Sequence, residues 1–402
     1  MFEGVVHGNV AFMVVATVLV FFMTPGLAFF YGGLVEKKHS LTIMLQIFIA
    51  IGIVTLMWIF GGFSMVFGNS FFGVVGNPLQ YMGFKDIVFQ VNSRYGLTIP
   101  FLMFFMYQLM FAIITLPLMT GCIVNRITIG AWLKFLVIWM IIVYFPVAHW
   151  VWGNGFLSRM GFVDFAGGTV IHVTAAFSGL ATLWVLGPRK VITGKGPFNM
   201  GLVAIGAGIL LFGWFGFNAG GTLAAAGTTA IVFTNTGVAS ASGMIVWSLM
   251  VYRENGYFSF LDPLIGAVAG LATITPASGY VTPGSALLIG ALAGLVCFYA
   301  IKIPRKRGWD DVLDVWGVHG VGGFLGTIMI GLLANSLVNH TSAGLDQFLV
   351  QLFGACFVAV YSMLVSYCLM RVMDKSSNIR VTTEQIEEGL DKALFKETYG
   401  ND

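Results

Sequence analysis

The stretch DFAGGTVIHVTAAFSGLA, residues 164–181, puts Asp164 and His172 on one run otherwise fit for hydrocarbon. An unpaired polar group in hydrocarbon costs free energy, so a carboxylate at the mouth of such a run and an imidazole further in demand a reason. A second stretch repeats the arrangement. In DVLDVWGVHGVGGFLG, residues 311–326, Asp311 precedes His319 by eight residues, as Asp164 precedes His172.

Composition sets the class. The 402 residues are 58% hydrophobic and 9% charged, with a mean hydropathy of +0.90, far from a soluble globular domain. Apolar stretches of about 20 residues recur, each long enough to cross roughly 30 Å of hydrocarbon as a helix. The predicted fold is an all-α integral membrane protein with eleven spans, at 8–31, 41–68, 98–121, 131–152, 164–186, 198–218, 227–251, 260–280, 283–301, 314–333 and 345–373. The split between the eighth and ninth rests on PASGYVTPG as a tight turn. Nothing basic precedes residue 10, so the first span does not read as a cleavable signal peptide.

Charge orients the chain. With the N-terminus outside, the inner loops hold Lys37, Lys38, Arg126, Arg189, Lys190, Lys195, Arg253, Lys302, Arg305, Lys306 and Arg307, against Lys85, Arg94 and Arg159 outside. Positive residues favour the cytoplasmic side, so the N-terminus is expected out and the C-terminus in. That topology accounts for the net charge of +3 and leaves nothing for a nucleic-acid partner. Cys122, Cys297, Cys356 and Cys368 form no CxxC pair and read as small buried hydrophobes. No Walker-type or dinucleotide-binding glycine motif occurs, which argues against nucleotide-driven pumping and gives no cofactor.

The matched Asp-His pairs lie on the fifth and tenth spans, so the chain reads as two repeats of five, about 8–186 and 198–333, plus an extra helix, 345–373. Because five is odd, the halves enter the membrane from opposite sides, the inverted plan of many transport proteins. The membrane domain is then 1–373 and the cytoplasmic tail 374–402. Eight helical residues rise about 12 Å, which brings both imidazoles near the midplane from opposite faces. Two unrelated core histidines are the plainer reading, but matched depth in matched repeats favours function. Two imidazoles without a further ligand at that depth are too few for zinc, so no metal is expected. Neutral imidazoles offer alternating donor and acceptor nitrogens, suited to a small molecule with a lone pair and hydrogens, or to a proton. Asp164 either caps its helix or biases the outer vestibule toward cations. Small-xxx-small patterns in GLVAIGAGILLFG, GAVAG and GALAG read as helix packing.

Aromatic residues complete the constellation. Trp150 and Trp152 lie in AHWVWGNG, Tyr107 and Phe111 stand one turn apart in MYQLMFA, and Trp214 and Phe217 lie in FGWFGFNAGG. Aromatics at span ends usually form an interface belt. A tryptophan face can also bind a cation where water is scarce.

Together these motifs resemble the Amt/Mep/Rh superfamily of ammonium transporters, from GLAFFYGGLVEKK in the first span to EGLD in the tail. DFAGGTVIHVTAAFSGLA is the most specific stretch, and AHWVWGNG, GWFGFNAG, ITPASGY and VWGVHGVGG support it in the same order. The resemblance implies a homotrimer in the lipid bilayer of the inner (plasma) membrane, with one pore per subunit. By motif, Trp152, Tyr107 and Phe111 would line an ammonium-recruiting site, with Asp164 behind it. Phe111 and Phe217 would form the gate, His172 and His319 the twin pair, and Thr275 would stand on the pore wall near His319. Two departures stand out. Gly221 occupies a position where members commonly carry a serine, a loss of one hydrogen bond worth on the order of 1 kcal/mol. The tail carries EGLDKALFKETYG in place of the usual His-Gly-Glu segment, which bears on docking of a cytoplasmic PII-type regulator.

The expected function is transport of ammonium and not enzymatic catalysis: ammonium gives up its proton near Trp152 and Phe111 and crosses as ammonia, the proton moving separately. A bare cation would pay a large dehydration cost, which ammonia avoids. The rival is an ammonium sensor of the same fold, although no kinase, cyclase or response-regulator segment follows residue 373 in this sequence. A neutral-gas or urea channel would leave Asp164 and the vestibule tryptophans idle.

Overall fold

A computed structural model describes residues 3–190 and 196–400 of the chain. Lys195, and the extreme ends of the expected membrane domain and tail, lie outside the described residues. Among these, ten helical stretches are long and apolar enough to cross a membrane. They are His7–Leu34, Lys37–Phe67, Phe101–Cys122, Ile129–Arg159, Gly168–Leu186, Met200–Thr222, Gly227–Asn255, Pro283–Arg307, Trp316–Leu333 and Leu345–Ser376. A shorter apolar helix, Leu261–Ile274, takes the eighth place in chain order. Its 14 residues rise about 21 Å, and the expected span to 280 continues as turns, because Pro276 has no N–H to extend the ladder. Among the described residues, strand structure is confined to a two-stranded antiparallel hairpin, Ser70–Phe71 with Val75–Gly76, and an isolated bridge between Ile127 and Arg380.

Small residues set the closest helix contacts. The first and sixth helices run against each other so tightly that a Cβ on Gly206 would stand 2.3 Å from the backbone nitrogen of Phe30. In lipid, where apolar surface gains little by leaving the tails, such close backbone approach is what drives helices together. The cysteines divide: Cys122 and Cys297 are buried, but Cys356 and Cys368 lie exposed on the eleventh helix. The reading of all four as buried is corrected there, since thiols on an outward apolar face need no burial.

Among the described residues, π-helical turns lie inside two spans, at Trp58–Gly62 and Met140–Tyr144, and open two others, at Gly168–Val173 and Trp316–Val321. Such turns concentrate at functional sites. The last two carry His172 and His319. Both histidine helices also begin later than the sequence suggests. Gly167 is left-handed (φ 106), so the fifth helix starts at Gly168, and Asp314 at φ 55 delays the tenth to Trp316. His172 therefore stands about 6 Å of helix from its start, half the rise expected from Asp164.

The tail folds back onto the body. Ile379 accepts from the Thr128 N–H at 2.9 Å, and Leu390 N–H donates to the Nδ1 of buried His39 at 3.2 Å. The Asp391 carboxylate takes the N–H groups of Leu41 (3.0 Å) and Thr42 (2.8 Å) and the Thr42 hydroxyl (2.7 Å). A tail residue thus supplies the anionic cap of the helix Ser40–Met57.

Candidate functional site

Asp164 organises the start of the fifth helix. One carboxylate oxygen accepts from Gly167 (2.9 Å) and Gly168 (2.8 Å), the other from Thr169 (2.8 Å) and Val170 (3.0 Å). Four otherwise orphaned helix donors are satisfied by one side chain. Its backbone carbonyl accepts the Trp152 indole N–H at 2.8 Å, so the same residue aims the tryptophan. Asp311 has the related role in the tenth helix, accepting from Val315 (3.2 Å) and Trp316 (2.8 Å).

Trp152, Tyr107, Phe111, Asp164 and Gly221 line one open cavity of about 340 Å³, together with Arg94, Gln108, Phe165 and Tyr280. Trp152 meets Phe111 edge-on, centroids 5.8 Å apart, and Tyr107 meets Phe111 at 4.8 Å. The Tyr107 hydroxyl donates to the Phe217 carbonyl at 2.8 Å and so ties the third helix to the sixth. Gly221 leaves room for Phe165: a Cβ there would stand 2.9 Å from the edge of that ring.

Phe111, on the wall of this cavity, packs against Phe217, their rings 4.5 Å apart and tilted by 40°. Beyond them lies a narrow apolar cavity bounded by Phe217, Trp214, His172 and His319, with room of about 20 Å³ for the centre of a water-sized guest. That is space for about one such molecule. The Nδ1 atoms of His172 and His319 are 3.3 Å apart and their rings nearly parallel, 22° between planes. Two lone pairs or two N–H groups cannot face each other there. One ring donates Nδ1–H, and the other is its opposite tautomer. Among the described residues, the buried Nε2 of His172 has no hydrogen-bond partner, which leaves it free for a guest. His319 also lines a third cavity, which opens toward Asp314, Arg305 and Arg189.

Thr275 is placed one layer back from the wall. Its hydroxyl accepts the Trp214 indole N–H at 2.8 Å and donates to the Leu271 carbonyl at 2.7 Å. Trp214 in turn lies over His172, centroids 5.5 Å apart at 21°. Sequence reasoning read Trp214 as an end-of-span aromatic, yet it is 2% exposed and packs on the histidine pair. The sequence gives no role to His149, which is buried and held by the Val66 carbonyl (2.6 Å) and Ser70 hydroxyl (2.7 Å), nor to Arg94 and Gln108 on the vestibule wall. No motif marks the last two; only the folding of the loop and the face of the third helix bring them there. Among the described residues, no group of three or more His, Cys, Asp or Glu side chains comes together as a metal site.

Comparison with known proteins adds the family. Residues 11–399 match the model of the Ammonium Transporter Family. The ammonium transporter of Aquifex aeolicus is 42% identical over 400 residues, covering 98% of this chain and 93% of the relative. Among solved structures, Saccharomyces cerevisiae Mep2 superposes with a TM-score of 0.88 at 30% identity, covering 95% of this chain and 89% of that one. A structure described as a sensor Amt protein gives 0.89 at 28% identity, covering 97% and 98%. Helices apolar enough for repeated crossing and a match along nearly the whole sequence lead to one conclusion: the chain belongs to the ammonium transporter family.

Proposed function

We propose that this multi-pass membrane protein carries ammonium by stripping its proton in the vestibule beside Trp152, Tyr107 and Phe111 and passing ammonia between His172 and His319. The observation that carries the reading is the narrow, one-molecule apolar cavity whose polar side chains are two facing imidazoles, an indole tied off to Thr275 and the Tyr31 phenol tied off to the Leu118 carbonyl. Ammonia has one lone pair and three hydrogens, so it can accept from one ring nitrogen and donate to another. Ammonium or potassium would lose its hydration shell there with too few oxygen ligands in return, the Tyr31 phenol being already bonded to Leu118. The Phe111–Phe217 contact is the gate that keeps water and charge in the vestibule, and the proton crosses separately along the imidazole pair.

The same proposal includes eleven crossings, with Leu261–Ile274 and its following turns as the eighth, and an inverted five-plus-five repeat. The parallel roles of Asp164 and Asp311, each holding the start of a π turn that bears a histidine, support the repeat. It also includes an outward N-terminus, an inward docked tail whose departure from the usual segment argues against a PII-type regulator, a homotrimer, and residence in the inner (plasma) membrane. Native mass spectrometry with and without a PII-type protein tests both the trimer and the lack of a complex.

A second reading, an ammonium sensor with little flux, draws support from the likeness to the sensor Amt structure and from Gly221 in the vestibule. Purified protein on a solid-supported membrane separates the two. Ammonium-evoked current, absent with potassium, supports transport; ammonium binding without current supports the sensor.

A further inference from the structure

Arg94 stands at the mouth of the vestibule, in the loop between the second and third spanning helices. Asn92 turns the loop there, its side-chain oxygen accepting from the N–H of Arg94 (2.9 Å) and of Tyr95 (3.2 Å). The guanidinium is held in place by Asn69, whose side-chain oxygen accepts from Nη1 at 3.0 Å. Both partners are neutral, and among the described residues no carboxylate pairs with it. The other charged side chain on the vestibule wall is Asp164. Its two oxygens are occupied by four backbone N–H groups, and the positive end of the helix they begin offsets part of its charge. Asp164 is also buried, whereas Arg94 is exposed, so the charged group that meets the water of this cavity directly is the guanidinium.

We propose that Arg94 is a specificity-determining residue for cation recruitment: its fixed positive charge at the vestibule mouth raises the ammonium concentration needed for half-saturation. This rests on the transport reading above, in which the vestibule is the ammonium entrance. The repulsion acts on the cation and spares neutral ammonia. A divalent cation meets it twice over, so the vestibule turns away divalent ions more strongly than ammonium. Unit charges about 10 Å apart in water interact enough to change an equilibrium about twofold. Salt suppresses the effect, since the screening length shrinks from about 30 Å at 0.01 M to about 3 Å at 1 M.

The test is a charge series at one position, Arg94→Lys, Arg94→Gln and Arg94→Glu, in the full-length protein on solid-supported membranes. Half-saturation of the ammonium-evoked current is read at about 10 mM ionic strength and again at about 0.5 M sodium chloride. At low salt Lys matches the parent, Gln lowers half-saturation about twofold and Glu about fourfold, and at high salt all four converge. Equal half-saturation for Gln, Glu and the parent at low salt overturns the proposal. So does a Lys variant that behaves like Gln, which would make Arg94 a geometric prop holding the loop. Ammonium-dependent stabilisation against heat, followed in parallel, reports binding by mass action. A parent protein that carries no current sinks the transport reading, while the same charge order in the heat series still decides the role of Arg94.

Discussion

The Nδ1 atoms of His172 and His319 lie 3.3 Å apart although 147 residues separate them in sequence. The contact exists because the fifth and tenth helices touch: a Cβ on Gly323 would fall 2.5 Å from the Gly168 carbonyl and 2.9 Å from the His172 Cβ.

Removal of the rings removes the polar path. His172→Ala with His319→Ala is expected to cut the ammonium-evoked current more than tenfold, since even one hydrogen bond of about 1.5 kcal/mol in such surroundings is worth that factor. Unaltered current in the double variant contradicts the role given to the pair.

Gly323→Ala is a smaller change with a related outcome. The added methyl must push the two helices apart or turn His172 off His319, at a cost of about 1–3 kcal/mol for overpacking. Lower thermal stability with a current reduced at least severalfold is expected. Full activity at unchanged stability would mean that the helix contact is looser than described.

Asp164→Asn keeps the shape of the side chain and loses half of its function as a cap. The amide offers one acceptor oxygen, and its NH2 turns against backbone N–H groups, so two of four donors lose their partner. At about 1–3 kcal/mol for each buried donor left unsatisfied, a loss of about 2–6 kcal/mol is expected. Thermal unfolding in detergent measures it, and a melting temperature equal to that of the parent sinks the capping role.

The inner-loop clamp gives a pH signature. Asp310 receives Arg189 through Nε at 2.8 Å and Arg126 through Nη2 at 2.7 Å, joining three loops. Burial pushes its carboxyl up, but the Arg189 and Arg126 guanidiniums more than offset this and hold it below the ordinary carboxylate value. A carboxylate depressed in the folded state contributes stability that is complete above its unfolded pKa near 4 and is lost as the pH falls through the folded value. The parent is expected to lose stability between about pH 5 and pH 2, and Asp310→Asn, already lower by about 1–3 kcal/mol at neutral pH, to lose less over that range. Melting curves that run parallel across the range contradict the clamp.

Much of the site was legible in the linear text because chemistry excluded from hydrocarbon is conspicuous there. Asp164, His172, Asp311 and His319 stand out from their apolar runs, and their equal spacing already paired them. Other parts gave no such signal. Trp214 looked like any span-end aromatic, Thr275 like a wall residue, and Arg94 like an ordinary loop cation, because their roles depend on partners at positions 172, 214 and 69.

The sequence by itself determined the class, an all-helical chain crossing the membrane many times, because hydrophobic run length and the span of hydrocarbon are both one-dimensional quantities. It also singled out Asp164, His172, Asp311 and His319 as polar groups set in apolar runs. Only the tertiary structure decided where each helix begins, that Asp164 closes on four backbone donors, and that the Nδ1 atoms of two distant imidazoles meet 3.3 Å apart. Hydrogen-bond partners and close helix approach are properties of packing in three dimensions, and no spacing along the chain encodes them.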